Sequence, residues 1–172
     1  MSEACLSWVG RVERAVVRQH PDAVLYTNRI SVGAYGTSYD DSVPLYADGM
    51  TKVLEAFHTA RLPVLVLHDT PAPGISIPDC VAAHTSDYSA CDGTRAKWVS
   101  PEPAQDAVDR VGDTDLIRFA DLTDHICRSE TCAAVNGGVI TYFDTSHLTA
   151  TYARTLAPYL GPPLARQVAA GK

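Results

Sequence analysis

The sequence predicts a doubly wound α/β layer sandwich with a mostly parallel sheet, and three observations carry that prediction. Short, continuous apolar runs at residues 23–26 (AVLY) and 63–67 (PVLVL) have the composition of parallel strands buried on both faces. Segments of helical period separate such runs, in the order helix, strand, helix, strand, helix, strand, loop, strand, helix. Polar groups stand directly after the strand-like runs: Asn28, Asp69 and the Asp144/His147 pair. In folds of this class ligands bind at the carboxyl ends of the strands.

Taken in order, residues 3–19 read as an amphipathic helix with Leu6, Val9, Val12, Val16 and Val17 on one face, stopped by His20-Pro21-Asp22. The first strand, 23–26, follows and ends in Thr27-Asn28-Arg29. Residues 33–44, rich in Gly, Ser, Tyr and Asp, read as a loop closed by Pro44. A second helix is expected over 45–60, with Leu45, Gly49, Met50, Val53, Leu54 and Phe57 inward. The second strand, 63–67, ends in His68-Asp69-Thr70. Residues 71–100 break the rhythm with Pro71, Pro73 and Pro78, glycines and a Cys pair, and read as an irregular insertion. A short helix follows at 102–111, then a third strand at 115–119 (DLIRF), less apolar and so nearer a sheet edge. Residues 121–126 start a turn or helix. Residues 139–143 (VITYF) read as a last strand and 149–160 as a closing helix, with Leu148, Tyr152, Leu156 and Tyr159 or Leu160 inward. The tail from Gly161 is Pro/Gly/Ala-rich and is expected to fray.

At 172 residues the length fits one domain. A net charge of −6, with no basic cluster, argues against nucleic acid and anionic membrane surfaces. The longest aliphatic run, 63–67, is far too short to cross a bilayer. Residues 1–20 lack the pattern of a signal peptide, because Arg11, Glu13, Arg14 and Arg18 interrupt any apolar stretch. No Gly-rich phosphate loop follows any strand, so no nucleotide or other cofactor is expected. His68/Asp69 has no evident third ligand, so no metal is expected there.

Asp144 and His147 are the candidate catalytic pair. A carboxylate three residues before an imidazole, at the end of a strand-like run, can accept from one ring nitrogen. That bond fixes the tautomer and leaves the other nitrogen to take a proton from a nucleophile. Spacing alone favours the plainer reading, in which Asp144 or Ser146 N-caps the following helix and His147 lies in its first turn. The gathering of Asn28, Asp69 and this pair at strand ends favours catalysis.

Five cysteines occur: Cys5, Cys80, Cys91, Cys127 and Cys132. Two close pairs without a Cys-x-x-Cys suit two small disulfide loops, Cys80–Cys91 and Cys127–Cys132, in an oxidising compartment. Five reduced, partly buried thiols are the alternative. With the pairs formed, Cys5 is left over and its partner is expected outside this chain.

The ordered combination of motifs resembles a known family. Cys5-x-x-Trp8, Pro21-Asp22-Ala-Val-Leu, Val64-Leu-Val-Leu-His-Asp69-Thr-Pro71, Pro78-Asp-Cys80 with Cys91, and the run from Leu122 through Cys127, Cys132 and Tyr142 to Thr149 are similar to the SGNH domain fused to acyltransferase-three membrane proteins. The resemblance spans roughly residues 5–160. It implies a flavodoxin-like, SGNH-type three-layer sandwich with a Ser-His-Asp acyl-transfer site on the extracellular or periplasmic face of the cell envelope. It further implies an acyl donor, a glycan acceptor and a membrane acyltransferase domain as partners. Carried over by motif, His147 is the general base and Asp144 its orienting carboxylate. Asn28 falls where the family places an oxyanion donor, and Asp69 is structural or substrate-lining. The family's Gly-Asp-Ser motif does not occur; the sole Gly-Asp is Gly112-Asp113, before the third strand. The expectation is therefore that the first strand and its serine lie outside this chain, which alone would be inactive. A non-catalytic glycan-binding or docking module is the rival reading, with Tyr35, Tyr39 and Tyr46 as a stacking loop.

Overall fold

The computed structural model of the chain describes residues 3–30, 33–112 and 115–172. Asp113 and Thr114 lie outside the described residues, as do the side chains of Cys5 and Leu6. The elements run α1 (Glu3–Gln19), β1 (Val24–Thr27), α2 (Tyr39–Thr59), β2 (Val64–Leu67) and α3 (Ile77–Ala83). Then come β3 (Gly93–Thr94), α4 (Arg95–Trp98), α5 (Pro103–Val111) and β4 (Ile117–Ala120). Next are β5 (Thr131–Cys132), β6 (Val135–Asn136), β7 (Val139–Ile140), α6 (Ala150–Thr155) and α7 (Ala157–Ala170), with 3₁₀ turns at Tyr88–Cys91 and Thr123–His125. No described helix is long and apolar enough to cross a membrane.

The chain divides into two compact units, one of Met1–Leu67, Glu102–Ala120 and Pro162–Lys172, the other of His68–Pro101 and Asp121–Gly161. The first unit is α/β. Its sheet is parallel in the order β1-β2-β4, with Val24, Val64 and Ile117 level across it. The Val-Leu-Val run of β2 is buried throughout because this strand is central and covered on both faces. Met50, Leu54 and Phe57 of α2 and Ala104, Ala107 and Val108 of α5 pack with Val64, Val66 and Ile117 into one core. β4 lies at a sheet edge, as its weaker apolar content predicts.

Four expectations about this unit are corrected. The segment 33–44 is a loop only as far as Ser38. The Ser38 hydroxyl accepts the Asp41 N–H at 3.2 Å and caps α2, which therefore starts at Tyr39 and carries Pro44 in its second turn. Leu45, expected inward, is exposed, and Ala47 and Ser42 are buried instead. Among the described residues of α1, only Val16 and Val17 pack against the core. Val9 and Val12 are exposed, together with Trp8 and with Leu25 of β1. An apolar groove of about 210 Å³ runs between α1, β1 and α2. The tail from Gly161 is helical rather than frayed. Gln167, fully buried, donates its amide hydrogens to the carbonyl oxygens of Val64 (3.0 Å) and Leu116 (2.6 Å), which anchors the end of α7.

The second unit is where the sequence reading departs most. Residues 71–100 are not an irregular insertion: Ile77, Val81, Cys91 and Trp98 belong to a second core with Ile126, Cys127, Cys132, Ala134, Tyr142, Tyr152 and Leu156. The Trp98 and Tyr142 rings meet edge to face at 5.6 Å. Both expected disulfides are present, Cys80–Cys91 and Cys127–Cys132, and both sit in this core. Tyr159 is exposed and stacks on the His125 ring at 3.7 Å rather than facing inward.

The strand expected at 139–143 is also different. Only Val139–Ile140 is a strand, paired antiparallel with Val135–Asn136 across a two-residue turn, Gly137-Gly138, both at positive φ (58° and 79°). Glycine adopts that conformation at little steric cost, and it matches the twist of a tight hairpin. β7 is therefore part of a hairpin and not a strand of the parallel sheet.

Packing around Trp98 leaves no room for growth. A Cβ at Gly93 would lie 1.9 Å from the Trp98 Nε1. Gly93→Ala should lower stability by about 1–3 kcal/mol in urea unfolding, as overpacking does; an unchanged midpoint contradicts the packing described. Thiol counting on the denatured, unreduced protein should find a single thiol, rising to five after reduction; five before reduction contradicts both disulfides.

Candidate functional site

The Asp144–His147 turn is held from below by the second core. Tyr142, fully buried, bridges to Leu148 across the turn, and the Phe143 N–H donates to the His147 carbonyl at 2.7 Å. Thr141 is buried too, its N–H bonded to the Ala134 carbonyl and its hydroxyl to that of Ala133. Thr149 closes the arrangement. Its N–H donates to the Thr141 carbonyl and its hydroxyl to the Ile140 carbonyl, and that same hydroxyl accepts the Tyr152 N–H to cap α6.

The Asp-x-x-His spacing does not cap the following helix. The cap of α6 is Thr149, and the helix starts at Ala150, so His147 lies outside it. Asp144 serves its own turn. Its Oδ1 accepts the backbone N–H groups of Ser146 and His147, each at 2.8 Å, and its Oδ2 accepts from the His147 Nδ1, also at 2.8 Å. Those bonds pull the Asp144 pKa from 3.8 to about 2, the backbone N–H of His147 contributing most, then that of Ser146, then the ring. The imidazole is 71% exposed and the carboxylate 41%. His147 Nε2 has no protein partner among the described residues and faces solvent. The pair is thus a tautomer-fixed imidazole with one nitrogen available to an incoming proton donor.

The other candidates are placed as follows. Asn28 follows the carboxyl end of β1, in the first unit. Its side-chain oxygen and nitrogen are both shut off from solvent and have no hydrogen-bond partner among the described residues. Asp69 belongs to the second unit, two residues beyond β2, and its Oδ1 accepts the Thr70 N–H at 2.8 Å. The loop it opens is joined to the dyad's turn, since the Gly74 N–H donates to the Thr145 carbonyl at 2.9 Å. Tyr39 and Tyr46 lie within α2, and only Tyr35 is a fully exposed loop aromatic, so the three do not form one stacking loop. Among the described residues, Cys80, His84 and Cys91 bring three potential metal-ligand atoms together. The His84 Nδ1 stands 3.7 and 3.8 Å from the two sulfurs, which are joined to each other as a disulfide.

The premise that the dyad ends a parallel strand is overturned, since it follows the β6–β7 hairpin. Sequence reading also missed Thr149, the residue that anchors the turn. The signals were present: Asn136-Gly137-Gly138 is a hairpin signature, and a Thr three residues before Tyr152 is a cap signature.

The fold is α/β, and the site is a carboxylate bonded to one nitrogen of an exposed imidazole. Residues 2–162 match the family described as the SGNH domain (fused to AT3 domains), and the chain belongs to that family. It is also similar in structure to the periplasmic domain of the Salmonella ser. Paratyphi A lipopolysaccharide acetyltransferase, with a TM-score of 0.66 at 15% identity. That likeness covers 91% of this chain and 61% of the other, so the chain spans about three-fifths of that domain. No curated protein sequence matches it.

Asp144 ionises well below its ordinary value, so its contribution to the turn is complete above about pH 4 and disappears as pH falls through about 2. The Asp144 carboxyl carbon, followed by NMR, should titrate with a midpoint near 2. A midpoint at or above the ordinary 3.8 contradicts the three-bond arrangement.

Proposed function

We propose that this chain supplies the acid–base half of a Ser-His-Asp site for O-acyl transfer or ester hydrolysis on cell-envelope glycans. The serine belongs to a segment outside this chain. The observation that carries the reading is the Asp144–His147 pair, whose tautomer-fixing bond leaves Nε2 open. Family membership supports acyl chemistry, and the similar Salmonella domain is described as part of an acetyltransferase. The same family description supports a membrane acyltransferase domain as partner. Two disulfides in one core support an extracellular or periplasmic location.

In this mechanism His147 Nε2 takes the serine proton as the hydroxyl attacks the acyl carbonyl, and Asp144 steadies the resulting imidazolium. The proton then passes to the leaving alcohol, giving an acyl-enzyme. A sugar hydroxyl or water, deprotonated in turn by His147, releases the acyl group. Asn28 is assigned to hold the oxyanion. Its amide, buried without a partner, is the kind of donor that such a role would satisfy. Asp69 is assigned to the substrate-lining loop. β1 is an edge strand among the described residues, flanked by the exposed Trp8, Val9, Val12 and Leu25. An outside strand carrying the serine would find both hydrogen-bond partners and apolar cover there.

The absence of a Gly-Asp-Ser motif favours a second reading, a non-catalytic glycan-binding or partner-docking module. Fluorophosphonate labelling of the polypeptide as the gene encodes it in the cell separates the two. Acyl transfer predicts a labelled serine and ester turnover that falls about 100- to 10,000-fold in His147→Ala. An unlabelled protein, or turnover unchanged by that substitution, contradicts the assignment.

A further inference from the structure

Phe143 stands directly before the dyad and is 71% exposed. Its neighbours Thr141 and Tyr142 are fully buried, and the chain bends at Phe143, whose ring faces outward. Its backbone is fixed by the bond from its N–H to the His147 carbonyl. The same bond sets Phe143 and His147 side by side at the mouth of the turn, one residue inside the Tyr142–Leu148 bridge. The ring and the imidazole are thus exposed side chains of two residues joined backbone to backbone at the mouth of one turn.

A second exposed apolar side chain, Ile75, lies on the loop that the Gly74–Thr145 bond joins to the same turn, and it is 46% exposed. That loop is pinned on its other side by the buried prolines 71 and 73 and by the Ala72 N–H bonded to the Trp98 carbonyl. A lone exposed apolar residue is ordinary on a soluble protein. Two on backbone-pinned loops that meet at the dyad point to a ligand.

We infer that Phe143 and Ile75 form an apolar lip beside His147 that takes the acyl group of the ester and sets which acyl lengths the site prefers. The inference rests on the acyl-transfer reading of the dyad. Neither side chain offers a hydrogen bond, so sugar hydroxyls laid on them would lose water without compensation, whereas acyl methylenes would gain from burial. An ester whose carbonyl reaches His147 Nε2 brings its acyl chain within range of the Phe143 ring.

The test is binding rather than turnover, so the chain serves as it stands. Methyl α-glucopyranoside and its 6-O-acetyl, 6-O-butanoyl and 6-O-hexanoyl esters are titrated against the protein, following the His147 ring and Ile75 methyl signals by NMR. Affinity should rise two- to fourfold per added methylene, the upper figure being about the value for full burial. Phe143→Ala and Ile75→Ser should each flatten that rise while leaving the parent glycoside unaffected, and Phe143→Leu should restore most of it. Affinity independent of acyl length in the unaltered chain overturns the lip alone. A parent glycoside weakened by Phe143→Ala also overturns it, in favour of a sugar-stacking ring. Failure of every ester and of the glycoside to move the His147 signals overturns the lip and the acyl-transfer reading together.

Discussion

The Asp144 carboxylate is the group on which the site depends. With two oxygens it takes three hydrogen bonds: two from the backbone of its own turn and one from the imidazole it orients. The backbone bonds fix where His147 leaves the chain, and the third fixes how its ring is turned. One charge therefore sets both position and tautomer, and its low pKa follows from those donors. The turn is largely exposed, so its order comes from this local network and from what lies beneath it rather than from burial.

What lies beneath is the second core. Tyr142 and Thr141 are fully buried one and two residues before the exposed Phe143, and Thr149 ties the far side of the turn to Thr141 and Ile140. A hairpin, a buried aromatic and a helix cap thus hold a five-residue loop whose outer face carries Phe143 and His147. The disulfides Cys80–Cys91 and Cys127–Cys132 contribute to the same packed body and reduce the entropy of chain segments that form little regular structure. The first unit, by itself, holds a short parallel sheet, and the Asn28 amide after β1 has no hydrogen-bond partner among the described residues.

Much of the first unit was legible in the sequence. Continuous apolar runs gave β1 and β2 within a residue, and the helical period gave α1 and α5, because apolar residues recur along each of these segments and α5 and β2 bury them in one core. The helix start at Tyr39 was hidden by Pro44, which reads as a stop but sits in the second turn, where its missing N–H forgoes one bond, to the Asp40 carbonyl. The second unit was illegible for a physical reason. Its core draws single residues from short elements, such as Ile77, Trp98 and Tyr142, and no window of sequence carries a period. The dyad itself was legible as a spacing. Its rationale as the end of a parallel strand was not correct, and the Gly137-Gly138 turn that gives the real one was passed over.

Asp144 holds His147 with the proton on Nδ1 and a bare Nε2. Nitrogen-15 correlation spectra of the neutral imidazole read this directly. The account predicts the Nδ1–H tautomer in the unaltered protein and a mixture of tautomers in Asp144→Ala. A dominant Nε2–H tautomer in the unaltered protein would leave no lone pair where a nucleophile must deliver its proton, and would contradict the account.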